Sequence, residues 1–410
     1  MGDRFAHQAK AQLQACLLAS KHNGEIIPVW NKSNREHTII GSEPSSVRAA
    51  AARAIKELGW EKTWHVDADH IRLDTVDRFL DSSDFFTIDV SDSIGKSASS
   101  NDIRAFVGRH PEFAGPLQIP RVDHPIEFTK ANVESVARKY LSAVHDAGKI
   151  YRHIAEVNGE GNFITEVSLD EAESPQTPLE LLIILAAMAD ENVQLQTVAP
   201  KFTGRFNKGV DYAGDIAQFE REFNEDLAII LFAVEQYDLP ANLKLSIHSG
   251  SDKFSIYPAM RKALKRFNAG LHIKTAGTSW LEELIGLAEA GGDAFALTKE
   301  IYCDALDRRV ELCAPYIHVI DIDPKKLPSK EQVNGWSPAE YTAALRHDPS
   351  CQEYNPHFRQ LLHVAFKIAP KKGDRYIRML EANELAVARN VTNNLYERHL
   401  KPLLCNINDV

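Results

Sequence analysis

The chain alternates short runs of β-branched and aromatic residues with longer segments whose apolar residues recur at helical spacing. Such alternation is typical of strand–helix–strand units, in which parallel strands form one sheet and helices cover it. Eight is the number of strands that a closed barrel needs, so we predict an α/β fold of the (β/α)8 TIM-barrel type, with an open doubly wound sheet as the alternative. The eight candidate strands are Glu25–Trp30, Thr63–Asp67, Phe85–Val90, Asn162–Ser168, Val193–Ala199, Lys244–His248, Leu271–Thr275 and Tyr316–Ile322.

Two stretches depart from this alternation. Residues 92–130, between the third and fourth candidate strands, are too many for an ordinary strand–helix loop, and we predict a helical insertion near the catalytic face. Residues 324–410 contain no strong strand pattern, and we predict a helical extension packed on the barrel. The predicted organisation is therefore a TIM-barrel catalytic domain over residues 1–323, followed by this C-terminal extension.

Composition limits the partners and the compartment. The 410 residues carry a formal charge of −10, with a pI near 5.9, which argues against nucleic acid or an anionic membrane as the main partner. No apolar run approaches the roughly 20 residues of a membrane-spanning helix. The 5 cysteines are widely spaced and form no CxxC motif, so we predict reduced thiols in a cytoplasmic protein. A homo-oligomer is compatible with the sequence, although no pattern specifies one.

Ionisable residues follow nearly every candidate strand, at the end where barrel enzymes keep their catalytic groups. Asp69 and His70 place a carboxylate base beside a metal-binding imidazole, a pairing suited to proton transfer on a polarised carbonyl. Adjacent strand residues point to opposite faces, so the two can act together only where the strand becomes irregular. Acidic residues such as Asp92 and Asp170 can also be explained as helix N-caps. The remaining strand-end groups are Asp67, Asp89, Glu166, Glu171, Lys201, Arg205, His248, Asp252, His272, Lys274, His318, Asp321 and Asp323.

Four of these groups are histidines, each at the end of a different candidate strand. We predict that His70, His248 and His272 bind one divalent metal ion and leave positions open for substrate oxygens. A single histidine near a strand end is more often a structural residue, but three at equivalent positions favour a shared ligand set. His65 lies further back in its strand and is expected to support the site, with His318 as a further candidate. This ligand set suits Zn, Mn, Fe, Co or Ni.

Three stretches are candidates for binding an anionic part of a substrate. Lys201–Gly209 is locally basic, Ile247–Lys253 has a glycine that permits close backbone approach, and Lys274–Ser279 leads into a helix N-terminus. An ordinary turn with a helix cap, or a solvated charge cluster, also explains each of them. The P-loop and dinucleotide fingerprints are both absent from these stretches. The substrate-binding candidates are Lys201, Arg205, Asp252, Lys253 and Thr275.

Six stretches between Thr63 and Asp323 combine into a specific pattern: HVDADHIRLDTVD (His65–Asp77), DFFTIDVSD (Asp84–Asp92), EVSLDEAESPQTPL (Glu166–Leu179), KFTGRFNKGVDY (Lys201–Tyr212), LSIHSGSDKF (Leu245–Phe254) and HIKTAGTSW (His272–Trp280). Together they resemble the tagaturonate/fructuronate epimerase family. A fainter similarity extends to class II, metal-dependent aldolases, which also have an Asp-His pair after a strand. Those aldolases place another metal-binding histidine where this chain has Val198–Phe202 and no histidine, so His272 must complete the site.

The resemblance implies a metal-dependent epimerase that interconverts D-tagaturonate and D-fructuronate, which are keto-hexuronates. The inverted carbon lies β to the ketone, so its C–H bond is not acidic, and retro-aldol cleavage followed by re-addition is the expected route. In that scheme Asp69 takes the hydroxyl proton, and one divalent ion stabilises the enediolate. Glu171 is the second acid/base, with Glu166 and Glu173 as alternatives. The substrate carboxylate would be bound by Lys201, Arg205 or Lys253.

Two other functions remain compatible with the sequence. A class II-type sugar aldolase, or a ketose 4-epimerase acting on neutral or phosphorylated sugars, would use the same kind of site. A non-catalytic sugar-binding barrel would need neither the metal nor the base. Metal content and the release of three-carbon fragments distinguish the three.

Overall fold

In the computed structural model, which describes residues 1–22, 25–275 and 278–405, a parallel sheet of seven strands forms the centre of the protein. The sheet order is β1-β2-β3-β6-β7-β8-β9, so neighbours in the sheet follow one another along the chain, while β4 and β5 form a separate antiparallel pair. The strands are β1 (Val29–Ser33), β2 (His65–Ile71), β3 (Phe85–Asp89), β4 (Pro116–Leu117), β5 (Ile126–Glu127), β6 (Ile164–Ser168), β7 (Thr197–Ala199), β8 (Lys244–Ile247) and β9 (Leu271–Ile273).

Helices connect the strands and pack on the outside of the sheet. Local signals set several of their boundaries: α6 begins with Pro178, and the preceding Thr177 forms a capping box with Glu180. The helices are α1 (Ala9–Ser20), α2 (Asn34–Ile40), α3 (Pro44–Leu58), α4 (Ser100–Arg109), α5 (Lys130–Asn158), α6 (Pro178–Asp190), α7 (Ile216–Tyr237), α8 (Tyr257–Phe267), α9 (Thr278–Ala290), α10 (Gly292–Asp307), α11 (Arg309–Cys313), α12 (Lys330–Gly335), α13 (Pro338–Leu345), α14 (Pro356–Val364), α15 (Arg375–Ala382), α16 (Glu384–Asn393) and α17 (Lys401–Leu404), with a π-helix at Asn394–Leu400.

The sheet curls strongly towards a half-barrel. Strands β2 and β9 are five steps apart in the sheet order, which corresponds to about 24 Å in a flat sheet. Lys274, directly after β9, nevertheless lies 2.8 Å from Asp67 and 2.6 Å from Asp69 on β2. Curvature therefore brings the carboxyl ends of distant strands together around one interior.

The eighth predicted strand, Tyr316–Ile322, does not form. Pro315 lies in a 3-10 turn that ends at Tyr316, and the segment that follows is turn and coil. Its backbone bonds to loops instead of a neighbouring strand, since the Val319 carbonyl accepts from the Lys208 N–H at 2.8 Å. The full (β/α)8 barrel is therefore not confirmed, whereas the curled parallel sheet of an α/β fold is. On the open side of β1, Gly2 forms a single parallel bridge with Asn31.

The predicted insertion, residues 92–130, contains one α-helix, short 3-10 turns and the β4–β5 hairpin, so it is only partly helical. Its buried rings pack on one another, with Phe113 and Phe128 at a centroid distance of 4.7 Å. The described part of the C-terminal extension, residues 324–405, is built of helices joined by turns. It packs on α9, where the Trp280 indole donates to the Leu362 carbonyl at 2.7 Å.

None of the helices in the described ranges is both long and apolar enough to cross a membrane. All five cysteines are free in the structure.

Candidate functional site

A β-bulge in β2 allows Asp69 and His70 to face the same interior. The pairing of β2 with β3 shifts register between Ala68 and Ile71, and His70 adopts a left-handed backbone with φ 53°. A bulge adds one residue to a strand and re-aims its side chains. The strand is therefore irregular at the Asp-His pair. This irregularity is what we expected to be necessary for the two side chains to act together.

Among the described residues, His70, Asp170 and His248 form a candidate metal-binding group. One ligand atom from each lies within 4.8 Å of the others. His70 Nε2 is 3.5 Å and His248 Nδ1 is 3.1 Å from the same oxygen, Asp170 Oδ1. The two imidazole rings are 5.0 Å apart at their centroids. Two nitrogens and one carboxylate oxygen converging on a small volume are a suitable donor set for a first-row divalent ion.

The other nitrogen of each imidazole contacts a carboxylate. His70 Nδ1 is 3.0 Å from Asp69 Oδ1, and His248 Nε2 is 2.7 Å from Glu166 Oε1. Metal-binding histidines characteristically have such a partner, because it orients the ring and increases the basicity of the nitrogen that faces the ion. The residues present therefore fit a metal centre in their outer contacts as well as in the ligand atoms.

A buried ion network lies beneath this group. The Lys274 ammonium contacts Asp67 at 2.8 Å, Asp69 at 2.6 Å and Glu166 at 3.3 Å, and it donates to Thr87 at 2.6 Å. The Glu166 side chain is completely buried. A barrel interior normally holds branched apolar side chains, so this concentration of charge indicates that the interior serves chemistry.

The network shifts the pKa values of its members in different directions. Burial alone would raise the pKa of Asp69, but Lys274 and His70 outweigh that effect and hold the pKa well below its usual value. Burial would likewise lower the pKa of Lys274, yet the three carboxylates around it hold the pKa well above its usual value. Asp67 differs, because burial raises its pKa despite the opposing effect of Lys274.

His272 was predicted as the third metal ligand, and the structure places it outside the metal-binding group. Its Nδ1 lies 2.6 Å from Glu166 Oε2, and Ser246 Oγ lies 3.2 Å from the same nitrogen. His272 therefore contacts the carboxylate that orients His248. The third ligand atom of the candidate group comes from Asp170, whose sequence pattern can also be explained as a helix cap.

Two predicted substrate-binding residues, Lys201 and Arg205, make other contacts. The Lys201 ammonium donates to the Ala172 carbonyl. The backbone N–H of Lys201 donates to Gln176 Oε1 at 2.7 Å. Arg205 is exposed and pairs with Asp321 at 3.3 Å. Lys208, in the same basic stretch, is the residue that extends towards the metal-binding group, donating to Ser249 Oγ at 2.6 Å.

The predicted candidates Asp252 and Lys253 are buried in contacts with protein groups. Asp252 pairs with Arg359 of α14 at 2.9 Å. The Lys253 ammonium donates to the carbonyls of Asn207, Val210 and Ser251 at 2.9, 2.7 and 3.0 Å, which accounts for its three N–H donors.

Thr275 is buried and lines a small cavity with Glu282 and Asn394. Part of the stretch that suggested an oxyanion site, Ala276–Gly277, lies outside the described residues.

Glu171, the predicted second acid/base, lies on an exposed turn directly after Asp170. Its charge acts on Lys208 and Arg72, both at the same end of the sheet. Glu166, one of the alternatives, is instead fixed inside the ion network, where Thr197 donates to it at 2.7 Å. His65, which was expected to support the site, lies 3.4 Å from Asp84.

Comparison with known proteins identifies the family of the chain. A family model for tagaturonate epimerase matches residues 1–403. The chain belongs to the tagaturonate epimerase family. It is similar to the tagaturonate/fructuronate epimerase of Thermotoga maritima, with 30% identity over 418 residues, covering 97% of this chain and 79% of that protein. It is also similar to crystal structures of fructuronate-tagaturonate epimerase from Cohnella laeviribosi with one and two bound glycerols. Their TM-scores are 0.78 and 0.81 at 26% identity, and the matches cover 98% and 99% of this chain and 80% and 81% of those chains.

Membership in the tagaturonate epimerase family confirms the resemblance found in the motifs. The protein is an epimerase, which is an enzyme of the isomerase class. The non-catalytic sugar-binding barrel is therefore set aside.

Proposed function

We propose that this epimerase interconverts D-tagaturonate and D-fructuronate at the strand-end site, by retro-aldol cleavage and re-addition, with a divalent ion held by His70, Asp170 and His248. The observation that carries the proposal is the convergence of these three ligand atoms within 4.8 Å, directly beside the Asp69 carboxylate. Family membership supports the substrates, and the geometry supports a base next to a Lewis-acid centre.

The ligand set of two imidazoles and one carboxylate suits Zn, Mn, Fe, Co or Ni. When bound, the ion would supply a Lewis acid that polarises the ketone and favours the enediolate. The chain contributes the orientation of its own ligands, since Asp69 and Glu166 hold the outward nitrogens of His70 and His248.

The reaction needs a proton acceptor for a hydroxyl group. Deprotonation of the hydroxyl on carbon 4 lets the C3–C4 bond break, its electron pair entering an enediolate of carbons 1 to 3. Carbons 4 to 6 leave as an aldehyde that carries the carboxylate. Rotation of this aldehyde and attack of carbon 3 on its opposite face re-form the bond, and the new alkoxide recovers the proton. Atoms and electrons balance without an oxidant or a reductant.

Asp69 is suited to take and return this proton. Its pKa is held well below the usual value, against the effect of burial, by Lys274 and His70, so the carboxylate is ionised before substrate arrives. A base at the metal-binding group can reach a hydroxyl of a substrate bound there. We assign the second acid/base role to Glu171, because it follows Asp170 on an exposed turn, with Glu173 on the same turn as the alternative.

The first prediction concerns the metal ligands. We expect His70→Ala, Asp170→Asn and His248→Ala each to lower the metal content of the purified protein at least about tenfold, because each removes one of three ligands. His272→Gln is the matched control, and it should lower metal affinity less, since His272 acts through Glu166. Elemental analysis by mass spectrometry gives the stoichiometry. Equal loss of metal in His272→Gln would support the three-histidine ligand set instead. Unchanged metal content in all four variants would mean that the ion binds elsewhere.

The second prediction concerns the broken bond. With D-tagaturonate and ¹³C-labelled dihydroxyacetone, we expect label to enter carbons 1 to 3 of the D-fructuronate formed, because the enediolate fragment can exchange. In D₂O the product should carry no deuterium at carbon 4, since that C–H bond stays intact. NMR of the product measures both. Deuterium at carbon 4 would refute retro-aldol cleavage.

A further inference from the structure

Lys208 lies beside the candidate site, and no role was predicted for it from the sequence. It follows β7 in the loop that precedes α7, is partly exposed, and donates from its ammonium to Ser249, the residue after His248. Burial lowers the pKa of Lys208, and the carboxylates of Asp170, Glu171 and Asp69 oppose that effect. Lys208 therefore brings a cation to the rim of the metal-binding group.

Other cations near this end of the sheet have their charges matched by protein groups. Lys274 contacts three carboxylates, and Arg72 pairs with Asp89 at 2.8 Å and also contacts Asp92. The Lys253 ammonium is saturated by carbonyls. Lys208, by contrast, forms no ion pair with a carboxylate in the part of the chain that the structure describes, and its recorded side-chain acceptor is a neutral hydroxyl. An ammonium in that state is available to an anionic ligand.

The loop that carries Lys208 is held rigidly by two buried cations from other segments. Lys253 binds the carbonyls of Asn207 and Val210, and Arg359 donates from Nε to the carbonyl of Gly209 at 2.6 Å. The three carbonyls around Lys208 are thus fixed. Gly209 itself has φ 73°, where a side chain would be strained. Fixing the backbone in advance lowers the entropy that is lost when the side chain binds a ligand.

The chemistry of the reaction explains the value of such an anchor. After the C3–C4 bond breaks, the carboxylate belongs to the aldehyde fragment, which must turn over without leaving. A cation that holds the carboxylate retains this fragment while its aldehyde rotates about the bond between carbons 4 and 5.

We propose that Lys208 binds the substrate carboxylate and so selects uronates over neutral ketoses and retains the aldehyde fragment. The fragment-retaining role rests on the proposed retro-aldol function, whereas the carboxylate-binding role does not. Arg359 and Lys253 then act as positioning residues for Lys208.

The test compares two ligands that do not react. D-galactonate and galactitol differ only in a terminal carboxylate, and calorimetry on the metal-loaded protein measures the affinity of each. Lys208→Met should weaken D-galactonate binding about tenfold to a hundredfold and galactitol binding less than about twofold, because a charge-assisted contact is lost. Lys208→Arg should restore most of the D-galactonate affinity. Lys262→Met removes an exposed lysine paired with Glu220 on the outer surface and should change neither ligand.

Three results would overturn the proposal: unchanged D-galactonate affinity in Lys208→Met, equal loss for both ligands, or a loss in Arg205→Met that Lys208→Met does not show. The fragment-retaining role predicts at least about tenfold more free dihydroxyacetone per epimerisation in Lys208→Met than in the wild type, and its absence refutes that role. The binding measurements involve no bond cleavage, so their failure counts against Lys208 alone. Deuterium at carbon 4 of the product in the wild type counts against retro-aldol cleavage alone.

Discussion

Asp69→Asn is expected to lower kcat about a hundredfold to ten-thousandfold, the usual contribution of a positioned general base. Asparagine has the same shape as aspartate but cannot accept the hydroxyl proton. The metal should remain bound, because Asp69 contacts His70 and is not itself in the metal-binding group. Steady-state kinetics with D-tagaturonate and the metal content of the same sample measure both effects.

Asp81→Asn is the matched control for this variant. Asp81 is an exposed aspartate before β3, and its replacement should leave both kcat and metal content unchanged. An Asp69→Asn enzyme with wild-type kcat would remove Asp69 from the base role. A loss of kcat that follows loss of metal in proportion would make Asp69 a support for His70 and not the base.

Lys274→Met is expected to have the largest effect on stability. It leaves Asp67, Asp69 and Glu166 buried without their shared cation, and breaking a buried ion cluster from one side costs about 3–5 kcal/mol. Urea denaturation should show this as a lower free energy of unfolding. Lys244→Met, on neighbouring β8, is the control: its ammonium donates to the Asn242 carbonyl without a carboxylate, and we expect a cost below about 1 kcal/mol.

The pH dependence of this variant has a defined sign. Burial already raises the pKa of Asp67, and Lys274 opposes that effect, so removing Lys274 raises the pKa further. A carboxyl group with a raised folded pKa stabilises the protein below its unfolded pKa and loses that contribution as pH rises through the folded pKa. The free energy of unfolding of Lys274→Met should therefore increase as pH falls from 8 towards 5. The double variant Asp67→Asn/Lys274→Met should recover part of the loss at pH 8, and no recovery would show that Asp67 is not the strained group.

Local patterns located the strands of the sheet, although the first prediction, Glu25–Trp30, overlaps β1 only at its last two residues. The run Phe85–Val90 reads as a strand from its own residues, and the structure has β3 at Phe85–Asp89. Tyr316–Ile322 has a similar apolar pattern but follows Pro315, and its backbone partners are loops contributed by distant parts of the chain. The segment therefore does not form a strand because of tertiary contacts, which the local pattern does not predict.

The candidate site likewise combines residues that the sequence predicted with one that it did not single out. Asp69 and His70 come together with His248 because β2 and β8, four steps apart in the sheet order, belong to a sheet curled enough to bring their carboxyl ends together. Asp170 was less visible, since a carboxylate after a strand is also a common helix cap. Its position just after a candidate strand, among the other strand-end carboxylates, was the available signal.

Lys208 shows the limit of local reasoning. Lys201–Gly209 contains several basic residues, and the sequence does not say which one turns inward. The answer depends on Arg359, which reaches the Gly209 carbonyl from 150 residues further along the chain. Contacts of that sequence separation leave no trace in spacing or composition.

The contact between Arg359 and the strand-end loops has a consequence for synthesis on the ribosome. Arg359 lies 107 residues after Asp252, so every strand of the sheet leaves the exit tunnel before the residue that fixes these loops has been translated. Domains tend to fold from the N-terminus as the chain emerges, which would give the nascent sheet its ion network before its anion anchor is rigid. The Lys208 loop therefore acquires its fixed backbone only after α14 has been translated and has packed on it.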